Sequence, residues 1–176
     1  MLKKVALLGA ASLLMISGVA ISQDKPALND AQIAHIAYTA GAIDVTAGKQ
    51  ALEKSRNSAV REFAQEMVRD HQAVNDQALA LVRKLGVSPQ DNPTSQALSQ
   101  QATAKHTELA RLRGAAFDQA YLRNEVAYHR TVNAALKDTL IPGAHNGELK
   151  SLLQTGLTLF TEHQTHAEQL AARNHR

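Results

Sequence analysis

Asn124-Glu125-Val126-Ala127-Tyr128-His129 places a carboxylate and an imidazole one helical turn apart within an otherwise apolar stripe. Residues four apart lie on the same face of an α-helix. The stripe has the three-four spacing of a bundle core seam, and its members are Leu122, Glu125, His129, Val132 and Leu136. The spacing therefore predicts that Glu125 and His129 point into the core, where polar groups require partners.

The amino terminus has the layout of a secretory signal peptide, because two lysines precede an apolar run over residues 5–20. This run is shorter than the roughly 20 apolar residues that a membrane-spanning helix needs. Cleavage is expected after Ala20 or Ser22, each of which ends a small-x-small pattern. We therefore predict a signal peptide over residues 1–22 and a single exported domain over residues 23–176. We expect the protein in the periplasm, either free or in peripheral contact with the outer membrane.

Charge and cysteine content exclude several classes of protein. Without Lys3 and Lys4, 17 of the 19 basic residues remain against 16 acidic ones, which argues against a nucleic-acid partner. The absence of cysteine excludes disulfides, thiolate metal sites and thiol catalysis. We expect no transmembrane segment in the mature chain. An envelope protein partner and a homo-oligomer are both compatible with small-residue seams such as Ala37, Ala40 and Ala47.

The apolar periodicity predicts four main helices and no strand. The first helix begins near Asp30, after a capping box from Asn29 to Gln32, and the second is capped by Ser58 and ends at Gly86. The chain then continues through a turn-rich linker over 87–95, a weaker helical segment over 96–113, a third helix from 115 to about 140, a loop over 141–147 and a fourth helix to about 172. This order predicts an all-α, up-down-up-down four-helix bundle with an extra or kinked helical segment before the third main helix.

One polar layer is expected across the core of this bundle. Counting from the turns at about 1.5 Å per residue brings Asp44 level with His71, and His71 level with His129 if residues 87–113 form an excursion. His163 matches this depth less well. Asp44, His71, Glu125, His129 and His163 are therefore candidate ligands, and mixed oxygen and nitrogen donors suit iron, manganese or zinc, with copper as a further candidate.

Four further residues lie near this layer in the sequence. His166, three residues after His163, can chelate from an adjacent turn or can lie on the bundle edge. Asp70 is placed to hold an imidazole in orientation, and Tyr128 offers a hydroxyl beside His129. We interpret Met67, one turn before His71, as core filler.

A structural explanation competes with metal binding. A single buried histidine in a bundle is usually neutral and hydrogen-bonded to a carboxylate or a tyrosine. Four helices each place an acid or an imidazole at similar depth. Without a metal, each of these groups would need its own hydrogen-bond partner, and each unpaired group would cost about 1–3 kcal/mol. This convergence favours a metal-linked or proton-linked function.

Four stretches carry a family resemblance: Phe63-Ala64-Gln65-x-Met67-Val68-x-Asp70-His71, Ala116-Phe117-Asp118-x-Ala120-Tyr121-Leu122, His129 and Glu162-His163. Together they resemble the exported bacterial proteins grouped as domain of unknown function 4142, often labelled outer-membrane proteins. The resemblance covers nearly the whole mature chain and implies a ferritin-like four-helix fold. It also implies roles for an acidic residue in the first helix and for histidines matched by His71, His129 and His163, but it assigns no activity.

Two departures from related patterns bear on function. Many relatives carry an acidic residue where this chain has Tyr128. Ferritin-like di-iron enzymes use Glu-x-x-His on two helices, whereas Glu125 and His129 are four apart and Glu162 and His163 are adjacent. These spacings argue against di-iron oxidase chemistry.

The sequence leaves three functions open. The first is a periplasmic module that binds iron, zinc, manganese or copper for storage, buffering or stress protection. The second is a ferritin-like oxidoreductase, and the third is a structural or interaction protein of the envelope whose polar layer fixes helix register. No catalytic residue can be named. A haem bundle is least supported, because the c-type attachment motif is absent.

Overall fold

The computed structural model describes residues 27–173, and all of the regular elements in this range are helices. They are α1 (Asp30–Lys54), α2 (Ser58–Lys84), α3 (Pro93–Ala110), α4 (Gly114–Ala135), a π-helical turn (Leu136–Leu140), α5 (Ile141–Gly143) and α6 (Gly147–Arg173). The predicted all-α class is confirmed. The predicted signal peptide, residues 1–22, lies outside the described residues. Over the described range, none of the helices has the length and apolar composition needed to cross a membrane.

The start of α1 follows the predicted capping box. The Asn29 side chain accepts a hydrogen bond from the backbone N–H of Gln32 at 2.9 Å, and the Gln32 side chain accepts one from the backbone N–H of Asn29 at 3.1 Å. Two of the amide groups that a helix leaves unpaired at its amino terminus are thereby satisfied. This local signal explains why α1 begins where the sequence indicates.

The cap of α2 differs from the prediction by one residue. Asn57, rather than Ser58, accepts hydrogen bonds from the backbone N–H groups of Ala59 at 3.0 Å and Val60 at 3.3 Å. Ser58 is already helical and cannot take the extended backbone of a cap. At the other end of α2, Gly86 has a φ of 63°, in keeping with the predicted terminating glycine.

The segment predicted as a weak or kinked helix is a separate helix, α3. Its cap, Asn92, precedes Pro93 at the first helical position, so the helix starts within the predicted linker. The carboxyl-terminal half of α3 lies along α1, where Gln50 donates to the His106 carbonyl oxygen at 3.0 Å. Residues 111–113 separate α3 from α4.

The presence of α3 changes the direction of the helices that follow. Phe63 contacts Tyr121 with ring centroids 6.2 Å apart, and His71 contacts His129 at 5.5 Å, so the same offset of 58 residues links α2 to α4. A constant offset means that these two helices run parallel. The predicted up-down-up-down order of the four long helices is therefore wrong, because α3 first carries the chain back along α1. One long crossover is also the connectivity of ferritin-like bundles, and the ferritin-like assignment stays a prediction.

The helix before α6 extends further than the sequence indicates. The π-helical turn and α5 continue α4 to Gly143, so the predicted loop over 141–147 is reduced to residues 144–146. Asn146 caps the last helix, because its side chain accepts a hydrogen bond from the backbone N–H of Leu149 at 3.0 Å. Asp30 fixes this corner to α1 by accepting from the backbone N–H of Asn146 at 2.9 Å.

Two apolar clusters fill the bundle, one at each end. The cluster near the α1–α2 turn includes Ala51, Val60, Phe63, Met67, Leu109, Phe117, Tyr121 and Leu122. The cluster at the opposite end includes Ile33, Ile36, Val82, Leu136, Leu140, Leu149, Leu153 and Phe160. Buried polar side chains lie in the layer between the clusters.

The two helices of the first hairpin pack closely at Gly48. A Cβ atom at this position would lie 2.9 Å from a methyl group of Val68 and 3.0 Å from the carbonyl oxygen of Ala64. Both distances are shorter than normal van der Waals contact. Glycine at position 48 therefore allows α1 and α2 to approach, which brings Asp44 within reach of His71 one turn away.

Candidate functional site

Five side chains from four helices meet in the layer between the apolar clusters. The five are Asp44 on α1, His71 on α2, Glu125 and His129 on α4, and His163 on α6. None is more than 2% exposed. The structure thus brings together the five candidate residues, including His163, which the helical spacing placed less well, and their role as ligands stays a prediction.

Three of these residues form a compact triangle of donor atoms. Nε2 of His71 lies 3.3 Å from Oδ2 of Asp44 and 3.4 Å from Nε2 of His129. The third side, from Nε2 of His129 to Oδ2 of Asp44, is 4.0 Å. Two nitrogens and one oxygen from three helices therefore face a common point.

The backbone fixes the orientation and tautomer of His129. Nδ1 of His129 lies 3.0 Å from the backbone carbonyl oxygen of Glu125, one turn earlier on α4. Because a carbonyl oxygen only accepts hydrogen bonds, Nδ1 must carry the proton. In the neutral ring, Nε2 therefore carries a lone pair, and this lone pair faces His71 and Asp44.

Several buried polar atoms of the layer have no hydrogen-bond partner among the described residues. These atoms are both carboxylate oxygens of Asp44, Oε2 of Glu125, Nδ1 of His71 and Nδ1 of His163. The carboxyl groups of Asp44 and Glu125 can pair with each other only when one of them keeps its proton, which is the state that their raised pKa values favour. Leaving one such group unpaired costs about 1–3 kcal/mol. None of the buried residues in the described range is a lysine or an arginine that could compensate the two acids.

Burial shifts the pKa of each titratable group in the layer toward its neutral form. Burial, followed by the neighbouring charge of Glu125, raises the pKa of Asp44 well above its usual value. Burial also raises the pKa of Glu125 to about 7 and lowers the pKa of His129 to about 4. The pKa values of His71 and His163 are likewise lowered by burial. The layer therefore offers neutral imidazoles and two carboxyl groups that lack a compensating cation.

Phe160 bounds the layer on the side of an apolar cavity. Its ring stacks on His71 with centroids 4.4 Å apart and an interplanar angle of 13°. The cavity beyond it has a volume of about 350 Å³ and is lined almost entirely by apolar side chains, including Val74 and Leu153. Phe160 thus fixes the plane of the His71 imidazole and separates the polar layer from this cavity.

Two of the neighbouring residues take positions close to those predicted. Nε2 of His163 lies 3.1 Å from Oδ2 of Asp70, so this carboxylate holds the imidazole in orientation. Met67 is fully buried in the apolar cluster near the α1–α2 turn, in agreement with a packing role.

Two other predicted residues do not join the layer. Nδ1 of His166 lies 2.8 Å from Oε2 of Glu66, and its ring packs edge-on against Phe63, with centroids 5.2 Å apart. His166 is therefore at the bundle edge, where its side chain is 40% exposed. The hydroxyl of Tyr128 donates to the carbonyl oxygen of Ala40 at 3.1 Å and not to a side chain of the layer.

Glu66 is a further residue near the layer that the sequence did not predict. One ligand atom each from Glu66, Asp70 and His163 lies within 4.8 Å of the other two. The layer contains two further groups of this kind, His71 with His129 and His163, and Asp44 with Glu125 and His129. Glu66 lies one turn before Asp70 on the same helical face, which is a local signal that marks it, but its contact with the histidines of α6 has no signal in the sequence.

Comparison with known proteins identifies a family whose model matches the chain. The model of a family described as "Domain of unknown function (DUF4142)" matches residues 18–170 of the chain. Neither a curated protein nor a solved structure matches the chain.

Proposed function

The chain belongs to the DUF4142 family, a domain of unknown function, and we propose on the basis of its buried layer that it binds a transition-metal ion. The ligands would be Asp44, His71 and His129, with Glu125 and His163 completing or adjusting the coordination. We propose no enzymatic activity, because the residues of the layer can hold an ion without indicating a substrate. The ferritin-like fold class belongs to the same proposal.

The triangle of donor atoms carries this proposal. For a tetrahedral ion with metal–ligand distances of about 2.0–2.1 Å, neighbouring donor atoms are separated by about 3.3–3.5 Å. Two sides of the triangle measure 3.3 and 3.4 Å, and the third measures 4.0 Å. Small side-chain rotations would therefore suffice to bring the three donors into contact with one ion.

The charges of the layer support a divalent cation. Asp44 and Glu125 lie beside each other without a buried lysine or arginine in the described range. The imidazoles are neutral because burial lowers their pKa values, so none of them supplies a positive charge that would allow the two acids to ionise. A divalent ion would allow both acids to ionise and would satisfy lone pairs that lack a hydrogen-bond donor.

The donor set limits the ion, and the amino terminus suggests its compartment. Imidazole and carboxylate donors suit iron, manganese and zinc, with copper as a further candidate. The signal-like segment over residues 1–22 supports export to the periplasm. There the protein would store or buffer the ion, or limit the damage that free metal causes to the envelope.

Elemental analysis by mass spectrometry tests the proposal. Mature protein is purified from the periplasm without chelator, beside the His71→Ala/His129→Ala variant and a His106→Ala/His145→Ala control that loses two histidines outside the layer. We expect a stoichiometric metal in the wild type and the control, and its loss from the first variant. No metal in any of the proteins, even after loading with iron, zinc, manganese and copper, would refute the proposal.

The alternative is a layer that only fixes the register of the helices in a structural or interaction protein. The hydrogen bonds of His129 to the Glu125 backbone and of His163 to Asp70 favour this alternative. It predicts correct folding without metal uptake. A ferritin-like oxidoreductase requires in addition that the iron-loaded protein consume oxygen or peroxide.

A further inference from the structure

We propose that Glu66, Asp70 and His163 form a second, more exposed cation site between α2 and α6, adjacent to the buried layer. The inference rests on the proposed function, because it adds a second ion to a metal-binding protein. It concerns different side chains, except that His163 belongs to both groups.

The three side chains come from two helices that face each other. Glu66 and Asp70 are one turn apart on α2 and therefore lie on the same face. His163 approaches from α6, with Nε2 3.1 Å from Oδ2 of Asp70, and a cation bound here would replace the proton that Nε2 donates to this carboxylate. One donor atom of each residue lies within 4.8 Å of the other two. The Asp70–His163 pair is already near the spacing of ligands around one ion, about 3.3–3.5 Å, and the Glu66 oxygen would have to approach by up to about 1.5 Å.

His166 holds one of the proposed ligands, Glu66, in position. Its Nδ1 lies 2.8 Å from Oε2 of Glu66, and its ring is held edge-on by Phe63. A carboxylate that accepts a hydrogen bond at one oxygen keeps its other oxygen available for a metal ion. Hydrogen bonds of this kind orient ligands and strengthen metal binding. The proposed role of His166 is thus to position Glu66.

Exposure distinguishes this site from the layer. The side chain of Glu66 is 31% exposed and that of Asp70 is 15% exposed, whereas Asp44 is 2% exposed and Glu125 is fully buried. A hydrated ion can therefore reach these two carboxylates from solvent. His163 is itself fully buried, and its Nδ1 has no hydrogen-bond partner among the described residues. Its ring connects the exposed carboxylates to the layer.

Arg69 limits the affinity of the site. It donates from Nε to Oδ1 of Asp70 at 2.6 Å and from its terminal nitrogen to Oδ2 at 3.0 Å. A cation would have to displace this guanidinium group. The Arg69 side chain is 71% exposed, so it can move away into solvent. We therefore expect weaker binding here than in the layer, and tighter binding when Arg69 is replaced.

Calorimetric titration of the mature protein with Zn²⁺ tests this inference. For the wild type we expect two equivalents of bound zinc, with the second at least about tenfold weaker than the first. Glu66→Gln should remove the weaker equivalent and leave the tighter one. Glu62→Gln, which removes the same charge one turn earlier on α2, should retain both. Arg69→Gln should tighten the weaker equivalent at least about threefold.

The His71→Ala/His129→Ala variant separates this inference from the proposed function. It should lose the tighter equivalent and keep the weaker one. If the layer binds no metal, the wild type will bind one equivalent that Glu66→Gln removes and this variant keeps. A wild type without the weaker equivalent, or a Glu66→Gln variant that retains it, would overturn the second site whatever the layer does.

Discussion

Nε2 of His71 faces Nε2 of His129 at 3.4 Å, across two parallel helices and a separation of 58 residues in the chain. Both residues are 1% exposed. Because the Nδ1 proton of His129 is committed to a backbone carbonyl, the facing nitrogen of this ring has a free lone pair. The arrangement suits an ion between the rings, and Asp44 supplies the oxygen that completes the triangle.

Metal binding at this triangle should stabilise the folded protein. At a free metal concentration of about 100 times the dissociation constant, linkage contributes about 2.7 kcal/mol. In a domain of this size the melting temperature should then rise by about 5–10 °C. Asp44→Asn removes the anionic ligand and should abolish most of the rise, as measured by circular dichroism with and without metal.

Asp76→Asn is the control for this prediction, because Asp76 is an exposed acid on α2. It should show the same metal-dependent rise as the wild type. An equal rise in the Asp44→Asn variant would place the stabilising ion elsewhere.

In the metal-free protein, the free energy of unfolding should depend on pH because Glu125 titrates. Burial raises the pKa of this carboxyl from 4.5 to about 7. Between these pH values the folded state keeps a proton that the unfolded state releases, so rising pH lowers the free energy of unfolding through this group. Above pH 7 the effect of this group is constant.

Glu125→Gln removes the titration while keeping the shape of the neutral side chain. From about pH 4.5 to about pH 7.5, the free energy of unfolding of the variant should rise relative to wild type by roughly 2–3 kcal/mol. The lowered pKa values of the buried histidines make the protein less stable as pH falls, but both proteins contain these histidines and their effect cancels in the difference. Glu125 also helps to raise the pKa of Asp44, so the variant loses part of that shift too, which changes the difference in the same direction. Denaturant titrations in chelator across this range check the prediction, and a pH-independent difference would contradict it.

The close approach of α1 and α2 should make Gly48 sensitive to substitution. In Gly48→Ala the new methyl group would press on Val68 and on the Ala64 carbonyl oxygen, which should destabilise the protein by about 1–3 kcal/mol. Gly147→Ala is the matched control, since a Cβ there meets nothing within 4 Å. We expect the control to be neutral or slightly stabilising in thermal unfolding. Equal destabilisation by both substitutions would argue against the close packing.

The cap of α2 can be tested by a pair of neighbouring substitutions. Asn57→Ala removes the acceptor for the Ala59 and Val60 amides and should destabilise the protein by about 1 kcal/mol. Ser58→Ala should change the free energy of unfolding by less than about 0.5 kcal/mol. Chemical denaturation measures both variants. A larger loss of stability in Ser58→Ala than in Asn57→Ala would identify Ser58 as the cap.

The helices and the depth of the layer could be predicted because they depend on local regularities. The periodicity of α4 places Glu125 and His129 on its buried face, and the capping box at Asn29 marks the start of α1. Counting from Gly86 assumed that the helices of His71 and His129 run antiparallel, and the alignment holds in the parallel arrangement because His71 lies at the middle of α2, 13 residues from Ser58 and 13 from Lys84. These inferences need only the geometry of one helix and the position of its ends.

The direction of α4 depended on a non-local property and could not be predicted in the same way. Whether residues 96–113 kink a helix or form a separate one is decided by their packing along α1, for example by the Gln50 contact to the His106 carbonyl. The position of His166 is also non-local, because its partner Glu66 lies 100 residues earlier. A single sequence contains no direct signal for such pairs.

Anomalous diffraction from zinc-loaded crystals is the most direct test of the central claim. Data collected on both sides of the zinc absorption edge locate the ion without assumptions about its ligands. The account predicts a strong peak in the layer, about 2.0–2.1 Å from Nε2 of His71 and of His129 and within bonding distance of Asp44. Protein that binds zinc stoichiometrically but shows no anomalous peak between these three side chains would contradict it.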